Sequence, residues 1–295
     1  RLLSSAASDV YKRQDITDIK TKEVLSWEGI HLLHFKGSAC SQKLRIFLNI
    51  KNIDWHSHEI NLIKQEQFSE WFLGINPRGL VPTLVDNGEV HIESNDIMMY
   101  LDEKFPKNKL FPDNMFDEIV SDLAFEDSLH HDLRRLTFRY IIPHKLGKKD
   151  LKKLSFKASY KGTINGKEDE HKNRELLFWK NHYNYGITDD EVIESGNKFK
   201  EIYTKFDNQL QKYKYLKGHE FTIVDLAWYV STKRLFTAGI PINRYKNVKR
   251  WFDDLENDKR FSNEIKIDGP ILLFKQILKI KNKMMGKYLT DLVKF

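Results

Sequence analysis

The sequence predicts an α/β domain followed by an all-α domain: a mixed four-stranded sheet near the N-terminus, then a helical bundle. Three observations carry that expectation. Between His31 and Pro106, short apolar runs alternate with helix-spaced stretches. Asp86-Asn-Gly88, set between two apolar runs, is a strong hairpin signal. Beyond Asn114 only helical periodicity remains.

In chain order, His31-Leu-Leu-His-Phe35 reads as a buried strand, punctuated by Gly37 and Ser38. Ser41 to Asn49 then places Leu44, Phe47 and Leu48 at helical spacing, with polar Gln42, Lys43 and Arg45 between them. Trp55 to Glu59 alternates weakly as a second strand, and Glu66 to Leu73 has a short helical pattern. Val81-Pro-Thr-Leu-Val85 and Val90-His-Ile92 flank the hairpin turn. Ser94 caps a helix carrying Ile97, Met98, Tyr100 and Leu101, which Pro106 ends. A strand–helix–strand crossover followed by a hairpin and a helix is a thioredoxin-like arrangement. Residues 107–114, rich in Lys, Pro, Asp and Asn, read as a linker. Phe116 to Tyr140 then reads as one long helix, followed by a Lys-rich excursion over 143–190. Asp189 to Tyr213 is helical, and Thr222 with Asp225 three residues on has the form of a capping box before an apolar helix. Trp251 to Leu255 opens another helix. The expected organisation is a leader (1–30), a sheet domain (31–106), the linker, a helical domain (115–268) and a basic amphipathic tail (269–295).

With 295 residues, 40% hydrophobic and 13% aromatic, the chain has the apolar mass for two packed domains. No apolar run approaches the roughly 20 residues of a spanning helix, so a soluble protein is expected, and a lone cysteine fits a reducing, cytoplasmic setting. The single cysteine, Cys40, excludes a disulfide framework and any multi-cysteine metal site within the chain. No metal is expected either: His130 and His131 are adjacent, which on a helix points them apart. The net charge of +7 comes from lysines alternating with Asp and Glu, a solvated surface, and no nucleic-acid partner is expected. Ser4 to Gln14 reads SSAASDVYKRQ, which resembles the translation of a transposase adapter used in sequencing libraries. It is therefore expected to stand outside the fold.

Ser38-Ala-Cys-Ser41 lies where the first strand hands over to the first helix. Backbone N–H groups converge at a helix start and the macrodipole favours negative charge, so a thiolate brought there is stabilised. Ser38 or Ser41 acting as a plain cap is the competing reading. Pro82 sits just before a strand, where it fits a turn that would leave the Val81 N–H and C=O free for an added extended ligand. An ordinary edge-strand proline is the alternative. Glu93-Ser94 opens a helix, where the Ser94 N–H could hold a ligand carboxylate or simply begin the helix.

Taken together, these stretches resemble the glutathione-binding domain of the glutathione transferase superfamily. SACSQKLRIFL, NLIKQEQFSEWFLGINPRGLVPTLV and ESNDIMMYLDEKFP carry the likeness, which is nearest to zeta-class (maleylacetoacetate isomerase-like) and bacterial β-etherase-like members. The resemblance implies glutathione as co-substrate and makes Ser38 and Cys40 the candidate catalytic residues. Ser38 would hydrogen-bond the glutathione sulfur, with Cys40 as the neighbouring cysteine. Val81 and a cis Pro82 would pair with the cysteinyl backbone, Glu93 and Ser94 would bind the γ-glutamyl group, and Gln67 the glycyl end. Ala39 and Glu93 depart from the zeta pattern, which has Ser and Gln there. The family habit implies a homodimer and a small hydrophobic electrophile as second substrate. By position, Phe125, His130, His131, Arg134 and Arg135 could line the second-substrate wall.

The expected activity is addition of glutathione to an electrophile or displacement of its leaving group, a detoxification chemistry. Glutathione-dependent isomerisation, β-ether cleavage and dehalogenation share the site and are the alternatives. A non-catalytic transferase-fold interaction protein is the rival of another class. The tail from Ile271 carries lysines among Leu, Ile and Met. Packing back over the helical domain is preferred for it over contact with an anionic membrane.

Overall fold

Four short strands and the helices around them form the part of the chain that holds the candidate site. The computed structural model describes residues 11–160, 163–164, 167–168, 170–266 and 269–295. The first elements are β1 (Ile30–His34), α1 (Ala39–Lys51), β2 (His56–Glu59), α2 (Glu70–Leu73), β3 (Thr83–Asp86), β4 (Glu89–Ile92) and α3 (Ser94–Lys104). After them come α4 (Phe116–Ser128), α5 (His130–Tyr140), α6 (His144–Gly147), α7 (Leu151–Ser159) and the hairpin β5 (Thr163–Ile164) and β6 (Lys167–Glu168). The chain continues through α8 (Glu170–Tyr185), α9 (Asp189–Leu210), α10 (Ile223–Ala238) and α11 (Lys246–Glu256). It closes with α12 (Lys259–Ser262), α13 (Gly269–Met284) and α14 (Leu289–Leu292).

The main sheet has the order β2-β1-β3-β4. β1 pairs parallel with β2, and β3 is antiparallel to both β1 and β4, the mixed thioredoxin-like sheet expected from the sequence. Its tight turn uses Asn87 (φ 49°) and Gly88 (φ 83°), consistent with the primed turn that Asn-Gly favours. Leu33, Val85 and Val90 face a core cluster completed by Phe72, Ile75 and Ile60. α1 and α3 pack together, joined by the Lys51–Asp102 ion pair, Nζ to Oδ1 2.6 Å, with both side chains 1% exposed. Lys51 also donates to the Asn108 carbonyl at 3.2 Å, so this buried cation is both paired and hydrogen-bonded.

Two compact units emerge. One runs to Lys109 and takes in Lys149–Asn184; the other comprises Leu110–Lys148 and Tyr185–Phe295. Residues 149–184, placed by the sequence within the helical span 115–268, thus belong with the sheet. In the second unit, α5 packs on α9 and α10, and α11 on α9. The capping box at α10 is present: Asp225, fully buried, accepts from the Thr222 N–H at 3.0 Å and from the Thr222 hydroxyl at 3.2 Å. Its other oxygen accepts from the Leu216 N–H (2.8 Å) and the Trp251 indole (2.9 Å). Burial still raises this carboxyl to about 6, against the pull of those four donors.

Three expectations are corrected. The long helix over Phe116–Tyr140 is broken at Leu129, which separates α4 from α5. The sheet domain does not begin at 31: Ile19 and Val24, in the leader, are buried in the sheet's core cluster. Isolated apolar residues without periodicity give no element signal, although they fill a core. Of the adapter-like stretch, Ser4 to Val10 lie outside the described residues, whereas Tyr11 to Gln14 run along the β4 edge. There Gln14 N–H donates to Val90 O at 3.0 Å, and Ile92 N–H to Lys12 O at 3.1 Å. An open strand edge accepts any extended backbone, whatever its side chains.

His91, on β4, is 1% exposed and stacks on Tyr100 at 4.1 Å between ring centroids. Burial, with the Arg13 and Lys104 charges, holds its imidazole down to about 4 despite the Asp86 carboxylate. Its folded value lies below the ordinary 6.5, so the unfolded chain takes up the proton first on acidification. Stability is therefore expected to fall as the pH drops from about 6.5 towards 4. Urea midpoints for His91→Phe should lose the part of that acid sensitivity carried by this ring.

Candidate functional site

Sheet register brings three separate chain ends to one edge. Leu33, near the end of β1, pairs with Thr83 at the start of β3, and Thr83 pairs with Ile92 at the end of β4. The residues just outside this row are the ones the sequence singled out: Ser38 after β1, Val81-Pro82 before β3, and Glu93-Ser94 after β4.

Ser38 is the N-cap of α1. Its backbone is extended (φ −81°, ψ 126°), and its hydroxyl oxygen accepts from the Ser41 N–H at 3.3 Å. The same hydroxyl donates towards the Val81 carbonyl at 3.5 Å. One oxygen thus accepts from the helix while its proton points to the Val81 carbonyl. The preceding loop is braced from α1. Gln42 Nε2 donates to Lys36 O at 3.0 Å, Arg45 donates to Phe35 O (3.4 Å) and Lys36 O (3.3 Å), and the Ser41 hydroxyl accepts from the Phe35 N–H. Cys40 lies in the first helical turn as a half-buried thiol.

The Val81–Pro82 peptide bond is cis. Asn76 holds the loop that leads to it. Its carboxamide donates to Leu80 O and Thr83 Oγ1, both at 3.0 Å, and accepts from the Arg78 N–H at 3.0 Å. Gly79 has φ +59°, and a Cβ there would lie 3.0 Å from the Gln67 carbonyl, so the turn needs glycine on both counts. Arg78, 7% exposed, forms an ion pair with Glu93. Glu93 takes a positive φ of 66° at the N-cap position of α3, which leaves Ser94 as the first helical residue rather than the cap. Lys43, fully buried on α1, donates to Asn95 Oδ1 at 3.3 Å and ties α1 to that helix start.

Gln67 is not presented as the other residues are. It is 4% exposed, and its Oε1 has no hydrogen-bond partner among the described residues. Beside it, α7 and the two residues before it tie down the loop that precedes Gln67: Lys149 and Lys153 donate to the Leu62 (3.3 Å) and Lys64 (3.1 Å) carbonyls, and the Asp150 N–H to Gln65 Oε1 (2.9 Å). Lys157, fully buried, places its ammonium 5.5 Å from the centre of the Phe68 ring. None of this was visible in the excursion's sequence, where the lysines read as a solvated face.

The wall residues inferred by position all lie in the second unit. Phe125 is 49% exposed and faces Trp228 at 6.3 Å. His130 sits 3.2 Å from Glu126 and 3.1 Å from Asp127, and Arg135 pairs with Asp132, Glu191 and Glu194. Both are thus occupied within the helical bundle. Among the described residues, no group of three or more His, Cys, Asp or Glu side chains is arranged to hold a metal ion.

Replacing Asn76 with alanine strands the Arg78 N–H and the Leu80 carbonyl at once. The expected loss is about 2–3 kcal/mol of unfolding free energy, read from urea denaturation.

The family model for the N-terminal domain of glutathione S-transferases matches residues 37–104, and that for the C-terminal domain matches residues 182–259. A zeta-class glutathione S-transferase of Euphorbia esula is 40% identical over 92 residues, 31% of this chain and 41% of the relative. A glutathione S-transferase of Hypomyces subiculosus is 28% identical over 75% of this chain and 91% of its own. The crystal structure of a β-etherase from Sphingobium sp. strain SYK-6 covers 80% of this chain and 98% of its own, with a TM-score of 0.66 at 21% identity, a likeness of fold. The chain spans about two-fifths of the length of the zeta-class relatives it matches. The chain thus carries, in order, matches to both the N-terminal and the C-terminal domain models of glutathione S-transferases.

Proposed function

We propose that the first unit binds glutathione along the edge formed by Ser38, Val81 and Glu93-Ser94, and that the protein joins its thiolate to a small apolar electrophile. The observation that carries this reading is the position of Ser38. Its hydroxyl caps α1 and lies 3.5 Å from the carbonyl of Val81, the residue whose backbone would pair with the cysteinyl unit.

In that arrangement the tripeptide runs antiparallel to the Val81 segment as an added strand. Its γ-glutamyl carboxylate meets the start of α3 at Ser94, where a helix N-terminus and its macrodipole favour an anion. Its ammonium faces the Glu93 carboxylate, which Arg78 holds in place. Gln67 Oε1 is the acceptor available to the glycyl N–H, once the loop it sits in lets the ligand reach it.

The cysteinyl sulfur then falls beside Ser38. The hydroxyl turns its proton from Val81 to the sulfur, and the α1 N-terminus adds its partial positive charge. Lowering the thiol by about two units needs about 2.7 kcal/mol, within reach of one charge-assisted hydrogen bond plus the helix end. The thiolate attacks the electrophile, forming a carbon–sulfur bond, while the displaced group leaves with the electron pair of the bond it breaks. The protein supplies orientation and a stabilised nucleophile. Cys40, two residues into the helix, takes no part in this step.

Ser38→Ala is expected to lower kcat/KM with an aryl halide by about a hundredfold while leaving retention on immobilised glutathione nearly intact. Unchanged turnover would remove Ser38 from the mechanism. A folded wild-type chain that does not bind the resin would instead favour a non-catalytic interaction protein.

A further inference from the structure

The helix α13 packs back onto the second unit, as the sequence led us to expect, but only with one face. Asn282 is buried on that side, and α13 contacts α5. Just beyond the helix, the Tyr140 hydroxyl donates to the Lys287 carbonyl at 3.1 Å, and Leu289 and Val293 are buried in the core. The opposite face is apolar and uncovered. Leu273 (61% exposed), Ile277 (53%), Ile280 (60%) and Met284 (84%) follow one another at helical spacing. A shallow groove of about 370 Å³ runs along Ile277, Ile280, Lys281, Met284 and Met285.

Charge on this helix has one sign. Lys275, Lys279, Lys281 and Lys283 lie within it, and no Asp or Glu occurs from Gly269 to Thr290. None of these four lysines forms an ion pair among the described residues. Lys275 is pushed below the ordinary lysine value by burial and by its neighbours Lys279 and Lys233, so positive charge is crowded here.

We propose that α13 is a membrane-surface helix that docks on an anionic lipid bilayer, its apolar face among the acyl chains and its lysines at the headgroups. A helix with an apolar ladder flanked only by lysines is the form that lies in the bilayer interface. It lies on the surface and does not cross: no helix among the described residues is long and apolar enough to span. A second copy of this chain fits the face less well. Two such helices meeting about a twofold axis would set lysines against lysines, with no acidic residue on α13 to answer them.

The test is flotation of the full chain with phosphatidylcholine vesicles, with and without about a third phosphatidylserine, at low and high salt. Binding at low salt is expected to rise at least tenfold with the anionic lipid and to fall in high salt. Ile277→Ser with Ile280→Ser, and separately Lys279→Glu with Lys281→Glu, should each reduce it at least tenfold while leaving glutathione turnover unchanged. All four positions lie on α13, outside the proposed glutathione site, so loss of binding would not reflect a misfolded site. Absence of binding to both vesicle types, or binding indifferent to both double variants, overturns the proposal. So does light scattering that finds a dimer dissociated by the Ile277/Ile280 variant, which would make this face a contact between chains.

Discussion

The hydrogen-bonded row Leu33–Thr83–Ile92 is the constraint on which the candidate site depends. Side chains alternate across a strand with a period of two, so a one-residue slip would turn every core residue outward. Leu33, Val85 and Val90 share one core, which holds the register in place. With the register set, the ends of β1 and β4 and the start of β3 must lie side by side. Ser38, Val81 and Glu93 come from positions up to 55 residues apart in sequence, and no direct contact among all three is needed to gather them.

What register leaves loose, buried polar groups tighten. Asn76 closes the turn before Pro82, Arg78 restrains Glu93, and Lys43 and Arg45 reach from α1 to the neighbouring loop and helix start. Each of these groups sits inside the protein, where an unmet donor or acceptor is expensive. The same economy lets one hydroxyl at Ser38 cap a helix and still donate towards the Val81 carbonyl. It also makes sense of Lys149 and Lys153, before and within α7, which grip backbone carbonyls of the loop before Gln67.

Much of this could be read in advance. Strand and helix order, the Asn87-Gly88 turn, the Thr222–Asp225 box and the site's landmark residues all carry local signals: short-range spacing, turn chemistry or caps. Three things carried none. Lys43 and Arg45 were read as the polar face between Leu44, Phe47 and Leu48, yet they are fully and nearly fully buried. A charge's burial depends on distant partners, such as Asn95, that periodicity cannot reveal. Residues 149–184 belong with the sheet unit, and Lys149, Asp150, Lys153 and Lys157 reach the stretch 62–68, contacts that a Lys-rich composition hides. Leu129 interrupts a helix whose apolar spacing continues through it.

The claim that organises the account is that Ser38 and the α1 N-terminus stabilise a thiolate on glutathione. Ultraviolet titration of glutathione bound to the chain measures this directly, since thiolate and thiol absorb differently. The account predicts a thiol titrating about two units below that of free glutathione, moving back towards the free value in Ser38→Ala. A bound thiol that titrates as the free one does in the wild-type chain would contradict it.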